Sequence, residues 1–246
     1  MNISSIKTEK VASNSTSLEA MLNTYVTAFS ERSILVVTSK IVSLCEGRAI
    51  KTGTEHKSDV IEREAEYFLP AHASKYDITL TINRNLLVPS AGIDESNGNG
   101  YYVLWPSDPQ KTANQIRNYL CKRFSLSFVG VIITDSHTTP LRWGTTGVSI
   151  AHSGFLALNN YIGKPDIFGR ILEMTKANIA DALAVSAVVV MGEGNEQTPL
   201  AVINDIPFVQ FQTRNPTNKE IKSLKINMKD DVYAPLLTSV KWKKRR

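Results

Sequence analysis

The stretch Val129-Gly130-Val131-Ile132-Ile133-Thr134-Asp135-Ser136 decides the fold, because it is a run of small and β-branched residues that ends in a carboxylate and a hydroxyl. Such residues favour a buried strand, and we predict one from Phe128 to Thr134. In α/β architecture, ligands bind in the loops beyond the carboxyl ends of strands. Asp135 is therefore either a loop cap or a ligand contact.

A second aspartate stands in a similar context. Asp94 lies in Ala91-Gly92-Ile93-Asp94-Glu95-Ser96-Asn97, and a third acidic segment follows at Met191-Gly192-Glu193-Gly194. Taken singly, each aspartate is most simply a turn or cap residue, because Asp side chains hydrogen-bond nearby backbone. Together they suggest oxygen ligands for a hard divalent cation that holds phosphates, since Mg²⁺ and Mn²⁺ prefer carboxylate and hydroxyl oxygens.

Around these segments, helix and strand patterns alternate along the chain. A capping-box pattern at Thr16 to Glu19 precedes an apolar stripe at helical spacing, and Pro109 suits the first turn of a later helix. The stretch from Ser136 to Pro140 has the composition of a polar loop. The predicted helices cover residues 18–29, 59–69, 108–124 and 179–190, and the predicted strands cover 33–42, 76–82, 86–89, 101–105, 128–134 and 200–203.

Length and composition are those of a globular enzyme or binding protein. The chain has 246 residues, of which 42% are hydrophobic, so it can bury a substantial core. The spacing of Cys45 and Cys121 indicates neither a disulfide framework nor a zinc site. We therefore expect a reducing, cytoplasmic location. No apolar segment approaches the length of about 20 residues that a membrane span needs. We expect neither a signal peptide nor a membrane anchor.

The positive charge is concentrated at the C-terminus. The net charge is +5, and the last six residues, 241–246, carry five of the 28 basic side chains. This distribution argues against a broad nucleic-acid-binding face. We predict a solvated tail; the alternative is that it pairs with an anionic substrate or with an acidic patch on a partner subunit.

Two common phosphate-binding motifs are absent. The sequence contains no G-x-x-x-x-G-K-[ST] loop and no G-x-G-x-x-G fingerprint. Any nucleotide is therefore bound in another way.

The order of several motifs resembles the family of coenzyme F-420 γ-glutamyl ligases. The resemblance extends from about residue 34 to about residue 205 and is carried by residues 36–43, 46–48, 91–97, 130–136, 141–144, 150–154, 161–170 and 191–194. It implies an α+β fold with mixed, largely antiparallel sheets and packed helices. It also implies an intertwined homodimer with substrate sites near the subunit interface. We therefore predict a catalytic domain over 1–212 and a polar, basic appendage over 213–246.

The resemblance further implies a reaction. The family adds L-glutamate to a carboxylate of a deazaflavin coenzyme precursor, using GTP and divalent cations, Mg²⁺ or Mn²⁺. Such an amide bond requires an activated carboxylate, most often an acyl phosphate, and phosphoryl transfer depends on positioning and charge neutralisation. Folate is an alternative acceptor, since it also carries a γ-linked glutamyl tail, and ATP is an alternative nucleotide. No nucleic-acid or membrane partner is expected.

Site residues are assigned by their position in the matching segments. The implied metal ligands are Asp94, Asp135 and Glu193, with Ser136 as a hydroxyl contact. Nucleotide contacts are expected from Ser39, Lys40, Asn97, Gly192 and Gly194. Arg142 and Arg170 are candidates for binding the acidic substrate or phosphate, because a guanidinium group matches either, or they form structural ion pairs.

The chain departs from the family pattern at three places. Leu44 stands where the family usually has a lysine, Thr138-Thr139 replaces a Gly-Arg pair, and the N-terminal Gly-Ile-Pro stretch has no clear counterpart. These differences affect the recognition loops more than the acidic residues. They leave open a second class of function, a non-catalytic regulator that binds nucleotide or metal on the same fold.

Overall fold

Strands and helices alternate over residues 1–245, which are the residues that the computed structural model describes. The helices are α1 (Leu18–Tyr25), α2 (Ser39–Cys45), α3 (Lys57–Glu64), α4 (Pro109–Phe124), α5 (Ile179–Met191), α6 (Asn218–Ser223) and α7 (Ala234–Leu237). The strands are β1 (Asn2–Ile6), β2 (Ser33–Thr38), β3 (Ala49–Lys51), β4 (Tyr67–Phe68), β5 (Leu80–Asn83), β6 (Leu86–Pro89), β7 (Tyr101–Val103), β8 (Val129–Thr138), β9 (Thr145–Ser153), β10 (Leu158–Asn160), β11 (Lys176–Asn178), β12 (Leu200–Asn204) and β13 (Lys243–Lys244).

The main sheet has five strands in the order β1-β12-β2-β8-β9. Only β2 and β8 pair in parallel, with Thr38 opposite Thr134, and the other pairs are antiparallel. Because parallel strands end at the same edge of a sheet, Ser39, which follows β2, lies beside Asp135 of β8. This pairing positions the first part of the site.

Helices cover both faces of the main sheet. Along β2, Leu35 and Val37 face the apolar core that contains residues of α1, α2 and α4, whereas Ile34 and Val36 face the core that contains residues of α5. This alternation follows from the two-residue period of a strand. Since both faces are buried, β2 is an almost continuous run of apolar residues.

A separate unit, residues 49–107, is inserted between α2 and α4 and is called the insertion below. It contains three strands of a four-stranded antiparallel sheet, in the order β13-β4-β5-β6, and the β3-β7 pair; the edge strand β13 comes from the C-terminal segment. Its own apolar core includes Val60, Phe68, Ile93 and Leu104. The insertion carries Asp94, whereas Asp135 belongs to the main sheet, so the two aspartates come from different units.

The predicted class of fold, mixed and largely antiparallel sheets with packed helices, is confirmed. The predicted elements at α4, α5, β6 and β12 are also confirmed to within one residue. No helix in the described part of the chain has the length and the apolar composition needed to cross a membrane.

Several predicted boundaries are wrong. The strand predicted over 33–42 ends at Thr38, because its side chain accepts a hydrogen bond from Ile41 N at 3.4 Å and begins α2. The cap of α1 is Ser17 rather than Thr16, with Ser17 Oγ accepting from Ala20 N at 3.1 Å. Four other elements are shorter than predicted: α1 ends at 25, α3 covers 57–64, β5 starts at 80 and β7 ends at 103.

The most consequential difference concerns β8. Residues 136–138, predicted as loop, continue the strand and pair with residues 145–147 of β9, beyond an irregularity in register at Ile133 and Thr134. Asp135 therefore lies within a strand and not in a loop beyond it. Its backbone is held in the sheet by pairing with β9. The position of its Cα atom, from which the side chain extends, is therefore fixed.

The C-terminal segment is ordered along the insertion. Helix α6 starts with a capping box between Thr217 and Glu220. The backbone of β13 pairs with β4, with Lys243 opposite Phe68 and Lys244 opposite Tyr67. The side chains of the two lysines are exposed, as expected for a solvated tail, while their backbone pairs with the insertion.

Candidate functional site

Asp135 is held from two sides. Ser39 Oγ donates a hydrogen bond to Asp135 Oδ1 at 3.1 Å, and the indole N–H of Trp105 donates to Oδ2. Ser39 comes from the start of α2 and Trp105 from the end of the insertion. One donor on each oxygen fixes the plane of the carboxylate.

The environment of Asp135 is unfavourable for its charge. Burial, with a smaller contribution from the negative charge of Asp94, raises the pKa of this carboxyl to about 6. Hydrogen bonds from Trp105, from the backbone of Ser136 and from Ser39 oppose this increase. The charge of Asp135 is therefore only partly compensated by the chain itself.

Asp94 is held by a cation and a turn. Lys40 Nζ lies 2.6 Å from Asp94 Oδ2, and Ser96 donates to the carboxylate through its backbone N–H at 2.7 Å and its hydroxyl at 2.9 Å. Lys40 also donates to the carbonyl oxygen of Ser96 at 2.9 Å. Burial acts to raise the pKa of Asp94, but Lys40 and Ser96 together hold it below its usual value.

The turn before Asp94 has an unusual backbone. Ser90, Ala91 and Gly92 have φ angles of 53°, 56° and 77°. The peptide of Ala91 is fixed by buried side chains, since its N–H donates to Thr81 Oγ1 at 2.8 Å and its carbonyl accepts from Asn83 Nδ2 at 3.0 Å. Such conformations persist only where the surroundings impose them.

Ser136 and Glu193 form a second polar group near the same edge of the sheet. Ser136 Oγ donates to Glu193 Oε1 at 2.7 Å. Because successive residues of a strand point to opposite faces, Ser136 and Asp135 leave β8 on opposite sides. The structure thus brings Glu193 to Ser136 and not to Asp135.

The loop that carries Glu193 also reaches the Asp94 loop. Asn97 Nδ2 donates to the carbonyl oxygen of Gly194 at 2.8 Å, and Gly194 N–H donates to Glu196 Oε2 at 2.8 Å. Gly192 ends α5 with a φ of 77°, a conformation that glycine adopts at little cost. Of the five predicted nucleotide contacts, Ser39 and Lys40 lie at the two aspartates, and Asn97, Gly192 and Gly194 lie at this adjoining loop.

The arrangement of donors fits a hard divalent cation in part. In residues 1–245, no group of three or more His, Cys, Asp and Glu side chains is arranged to hold a metal ion. Asp94 and Asp135 nevertheless contact adjacent residues of α2, since Lys40 pairs with Asp94 and Ser39 donates to Asp135. Mg²⁺ is commonly held by one or two carboxylates, with water and substrate phosphates as further ligands. Two carboxylates therefore suffice for such a site.

In residues 1–245, neither predicted arginine forms a hydrogen bond or an ion pair with Asp94 or Asp135. Arg142 is exposed in the turn between β8 and β9. Arg170 lies on the arm, residues 161–175, which connects β10 and β11 near the start of α5, whereas Glu193 follows the end of this 13-residue helix. A helix of that length spans about 20 Å. The structure does not bring Arg170 to Asp135 in the same chain.

Two details of the recognition loops are explained by the structure. Asp166 Oδ1 accepts hydrogen bonds from the backbone N–H groups of Phe168 at 2.8 Å and Arg170 at 2.9 Å, so this carboxylate caps the arm.

Leu44 is only 4% exposed in α2. In this chain the position compared with a family lysine is a core position.

Sequence reasoning missed Trp105, which it placed only at the end of a strand. The side chain is 3% exposed and donates to a carboxylate of the other unit. A tryptophan within an apolar run before Pro106 is the pattern of a core residue. No signal in the sequence pairs it with Asp135.

Comparisons with known proteins identify the family of the chain. The model of a family described as F420-0:Gamma-glutamyl ligase matches residues 5–205. A protein of Methanococcus maripaludis named coenzyme F420:L-glutamate ligase is 42% identical over 132 residues, which are 54% of this chain and 52% of that protein. The chain thus spans about half the length of this relative.

Two other relatives are matched over more of their length. Proteins of the same name from Methanopyrus kandleri and Methanocaldococcus jannaschii are 32% and 34% identical over 195 and 194 residues. These matches cover 72% and 71% of this chain and 76% and 77% of the two proteins. The resemblance inferred from the motifs is confirmed: the chain belongs to the F420-0:gamma-glutamyl ligase family.

Proposed function

We propose that this protein is a ligase that adds L-glutamate to a carboxylate of the deazaflavin coenzyme precursor F420-0, using a nucleoside triphosphate and a divalent cation. The observation that carries the proposal is that two carboxylates from separate units, Asp94 and Asp135, contact adjacent residues of α2 in a member of this family. The names of the three relatives supply the acceptor.

The reaction has two steps. An oxygen of the acceptor carboxylate attacks the terminal phosphorus of the nucleotide, and the nucleoside diphosphate leaves. The amine of L-glutamate then attacks the carbonyl carbon of the acyl phosphate; inorganic phosphate leaves, the amine loses a proton and the amide bond remains. Both steps depend on holding negatively charged groups close together.

The chain supplies this positioning through its charged loops. Asp94 and Asp135 would hold the divalent cation, which when bound neutralises phosphate charge. Lys40 is close enough to the aspartates to contact a phosphate oxygen at the same place. Ser39 orients Asp135, and the loop of Asn97 and Gly194 closes the side of the site toward α5.

The deazaflavin precursor is the preferred acceptor. This choice of acceptor is supported by the names of the three relatives, and no contact of this chain favours folate. GTP is the nucleotide that the family resemblance implies, and ATP is the alternative that the same assay tests. The position of Asp135 argues against a regulator without turnover, because nucleotide binding alone does not require a carboxylate whose charge the chain compensates only in part.

We further propose that two copies of the chain form the working enzyme. The arm exposes large apolar side chains, with Ile167, Phe168 and Met174 each at least 84% exposed. A cavity of about 260 Å³ beside α5 is lined mainly by apolar residues, including Leu183 and Phe208. The arm of one protomer fits such a surface on its partner, and a dimer would bring Arg170 to a different neighbourhood from the one it has in a single chain.

The oligomeric state is tested by light scattering after gel filtration. We expect a dimer for the parent chain and a monomer for the double variant Ile167→Ser/Phe168→Ser. A matched control is Tyr76→Ser, which alters an exposed aromatic residue in the insertion. A monomeric parent chain at micromolar concentration would exclude the dimer.

The activity is tested by mass spectrometry of the acceptor. The purified protein is incubated with L-glutamate, GTP or ATP, Mg²⁺ or Mn²⁺, and either F420-0 or a folate lacking its glutamyl tail or carrying one glutamate. We expect F420-0 to gain the mass of one or more glutamyl residues, and nucleoside diphosphate to form in equal amount.

The Asp135→Asn variant serves as the inactive control in this assay. A gain of mass on folate alone would show that folate, and not F420-0, is the acceptor. Nucleotide binding without a gain of mass on either acceptor would reject the ligase and favour the regulator.

A further inference from the structure

We propose that Trp105 is the positioning residue that sets the distance and orientation between the two aspartates of the metal site. The inference rests on the proposed function in one respect, namely that Asp94 and Asp135 hold a divalent cation. It assigns a role to a side chain that is only 3% exposed and is therefore not available for contact with nucleotide or acceptor. Trp105 acts through the two carboxylates.

The first argument is the hydrogen bond across the two units. Trp105 belongs to the insertion, and its indole N–H donates to Asp135 Oδ2 on the main sheet. Ser39 occupies Oδ1, so each oxygen accepts one hydrogen bond from a side chain and keeps a further lone pair for a cation. Without the indole donor, the only hydrogen bonds that orient the carboxylate would come from Ser39 and from the backbone of Ser136.

The second argument is the contact between Trp105 and the Asp94 turn. A Cβ atom added at Gly92 would overlap Nε1 and Cε2 of the indole ring, so the turn packs directly on the edge that carries the donor. Gly92 lies two residues before Asp94. The ring thus touches Asp135 through its N–H and the Asp94 loop through its edge.

The third argument is the backbone conformation of that turn. Three successive residues, from Ser90 to Gly92, have positive φ angles, two of them without being glycine. Thr81 and Asn83 hold the middle residue in place. The positive φ angles of this turn cost energy. Their consequence is that the backbone of Gly92 passes the indole ring with no side chain in between.

A role as an ordinary core residue explains less. The apolar core of the insertion is formed by residues such as Val60, Phe68 and Leu104, and Trp105 is not among its members although it is 3% exposed. A phenylalanine would fill nearly the same volume in an apolar site. The N–H group is what a carboxylate requires.

The direct test is the affinity of the full-length protein for Mn²⁺ alone, measured by electron paramagnetic resonance of the free ion without nucleotide or acceptor. Trp105→Phe keeps the aromatic bulk and removes the donor. We expect its affinity for Mn²⁺ to fall about 10- to 100-fold, the usual effect of losing a residue that orients a metal ligand. Trp143→Phe, at a side chain that is 93% exposed, is the matched control and should bind Mn²⁺ like the parent.

A second pair of variants tests the contact at the turn. Gly92→Ala keeps the indole donor but displaces the ring, and we expect a loss of Mn²⁺ affinity in the same range. Gly53→Ala is the matched control, because Gly53 also has a positive φ of 86° but an added Cβ meets nothing within 4 Å. Both variants carry the same kind of backbone strain, so a difference between them isolates the ring.

The outcomes separate this proposal from the proposed function. If Trp105→Phe and Gly92→Ala bind Mn²⁺ as tightly as the parent while Asp135→Asn does not, Trp105 is only a core residue and the metal site stands. If the parent itself binds no Mn²⁺, both the metal site and the role of Trp105 are excluded, whatever the ligase assay gives. If Trp105→Phe does not fold, as judged by circular dichroism, the comparison of Gly92→Ala with Gly53→Ala decides.

Steady-state kinetics provide a further readout that a purely structural role would not produce. For folded Trp105→Phe, we expect the Mn²⁺ concentration for half-maximal activity to rise in proportion to the loss of affinity. The KM for L-glutamate should stay unchanged, because that substrate does not contact the indole. An equal rise in both values would contradict a positioning role.

Discussion

Asp94 and Asp135 carry the same charge at the same site, yet the chain holds them in opposite ways. Asp94 has an ammonium group at 2.6 Å and two donors from Ser96, and its pKa is lowered. Asp135 has two uncharged side-chain donors, Ser39 and Trp105, and burial raises its pKa to about 6. One acid is compensated locally and the other is not.

The difference follows from where each residue lies in the fold. Asp94 stands in a turn of the insertion, which a lysine from the start of α2 can reach. Asp135 stands on an inner strand, between β2 and β9, where a lysine would have to be buried. A divalent cation should therefore be attracted more strongly to Asp135 than to Asp94. The charge of Asp135 is the one that the chain leaves only partly compensated.

The largest effect is expected from removing the charge of Asp135. Asp135→Asn should lower metal-dependent turnover by about 100- to 1,000-fold, as for other groups that stabilise charge during reaction. It should also stabilise the fold by up to about 3 kcal/mol at pH 7, since a pKa raised from 3.8 to about 6 means that ionisation costs native stability.

The sign of this effect can be checked by pH. Between about pH 4 and pH 6, Asp135 binds its proton more strongly in the native state than in the unfolded chain, so its contribution to stability falls as the pH rises through this range. Thermal unfolding of the parent and of Asp135→Asn should therefore converge near pH 4. A variant that is less stable than the parent at pH 7 would contradict the account of Asp135.

Asp94→Asn should give the same loss of turnover with the opposite effect on stability. The carboxylate and Lys40 are both partly exposed, with 43% and 26% of their side chains accessible, so solvent screens their attraction. We expect a loss of stability of at most about 1 kcal/mol. Urea unfolding of the two variants side by side measures the contrast, and equal shifts of the same sign would remove it.

His152 extends the comparison to a buried base. Burial lowers the pKa of its imidazole to about 4, and Glu220 opposes this only in part. Among the described residues, its Nε2 has no hydrogen-bond partner. Because the pKa lies below its usual value of 6.5, the stability it contributes is complete above about pH 6.5 and is lost as the pH falls toward 4, by about 3 kcal/mol in total.

The measurement is the pH dependence of urea unfolding for His152→Gln. Between pH 6.5 and pH 4 the variant should lose less stability than the parent, by up to about 3 kcal/mol, because the titrating imidazole is gone. His72→Gln, at an exposed position, is the control and should keep the slope of the parent. A parental slope in His152→Gln would assign the acid sensitivity to other groups.

A smaller effect is expected at Lys40. In Lys40→Met the ammonium group no longer competes for Asp94, so we expect Mn²⁺ alone to bind several-fold more tightly, equivalent to about 1 kcal/mol. Nucleotide binding should weaken, because a cation near the phosphates is lost. Calorimetric titration with each ligand separates the two effects; weaker binding of Mn²⁺ alone would show that Lys40 does not compete with the metal.

The smallest effect on stability is expected at the two exposed arginines. Arg142→Ala and Arg170→Ala should change the free energy of unfolding by less than about 0.5 kcal/mol, since both side chains are exposed. If they bind the acidic acceptor, their KM for it should rise while the affinity for Mn²⁺ stays unchanged. A change in Mn²⁺ affinity would place them at the metal site instead.

Much of the fold could be predicted because periodicity and capping residues are local. Helices α4 and α5 and strands β6 and β12 follow from such patterns. The boundary between β2 and α2 was missed, since Ser39 to Val42 have the residue types of a strand and only the side chain of Thr38 turns the chain into a helix. The continuation of β8 was missed because pairing with β9 overrides the polar composition of residues 136–138.

The candidate site was predicted only as a set of segments. Asp94 and Asp135 stand out in the sequence as carboxylates in glycine-containing contexts, and the structure brings them close enough to interact. Glu193 instead meets Ser136, and the two arginines lie elsewhere in the chain. Residue types identify chemistry, but the distance between segments is set by the packing of the insertion on the main sheet.

The sequence by itself determined the family, the class of fold and the acidic residues, because motifs, periodicity and residue chemistry are properties of short segments. Only the tertiary structure decided that Lys40 compensates Asp94, that Trp105 donates to Asp135 and that the two acids differ in pKa. The physical reason is that burial and charge compensation depend on groups far apart in the chain. Trp105 and Asp135 are separated by 30 residues, and Lys40 and Ser96 by 56, until folding joins them.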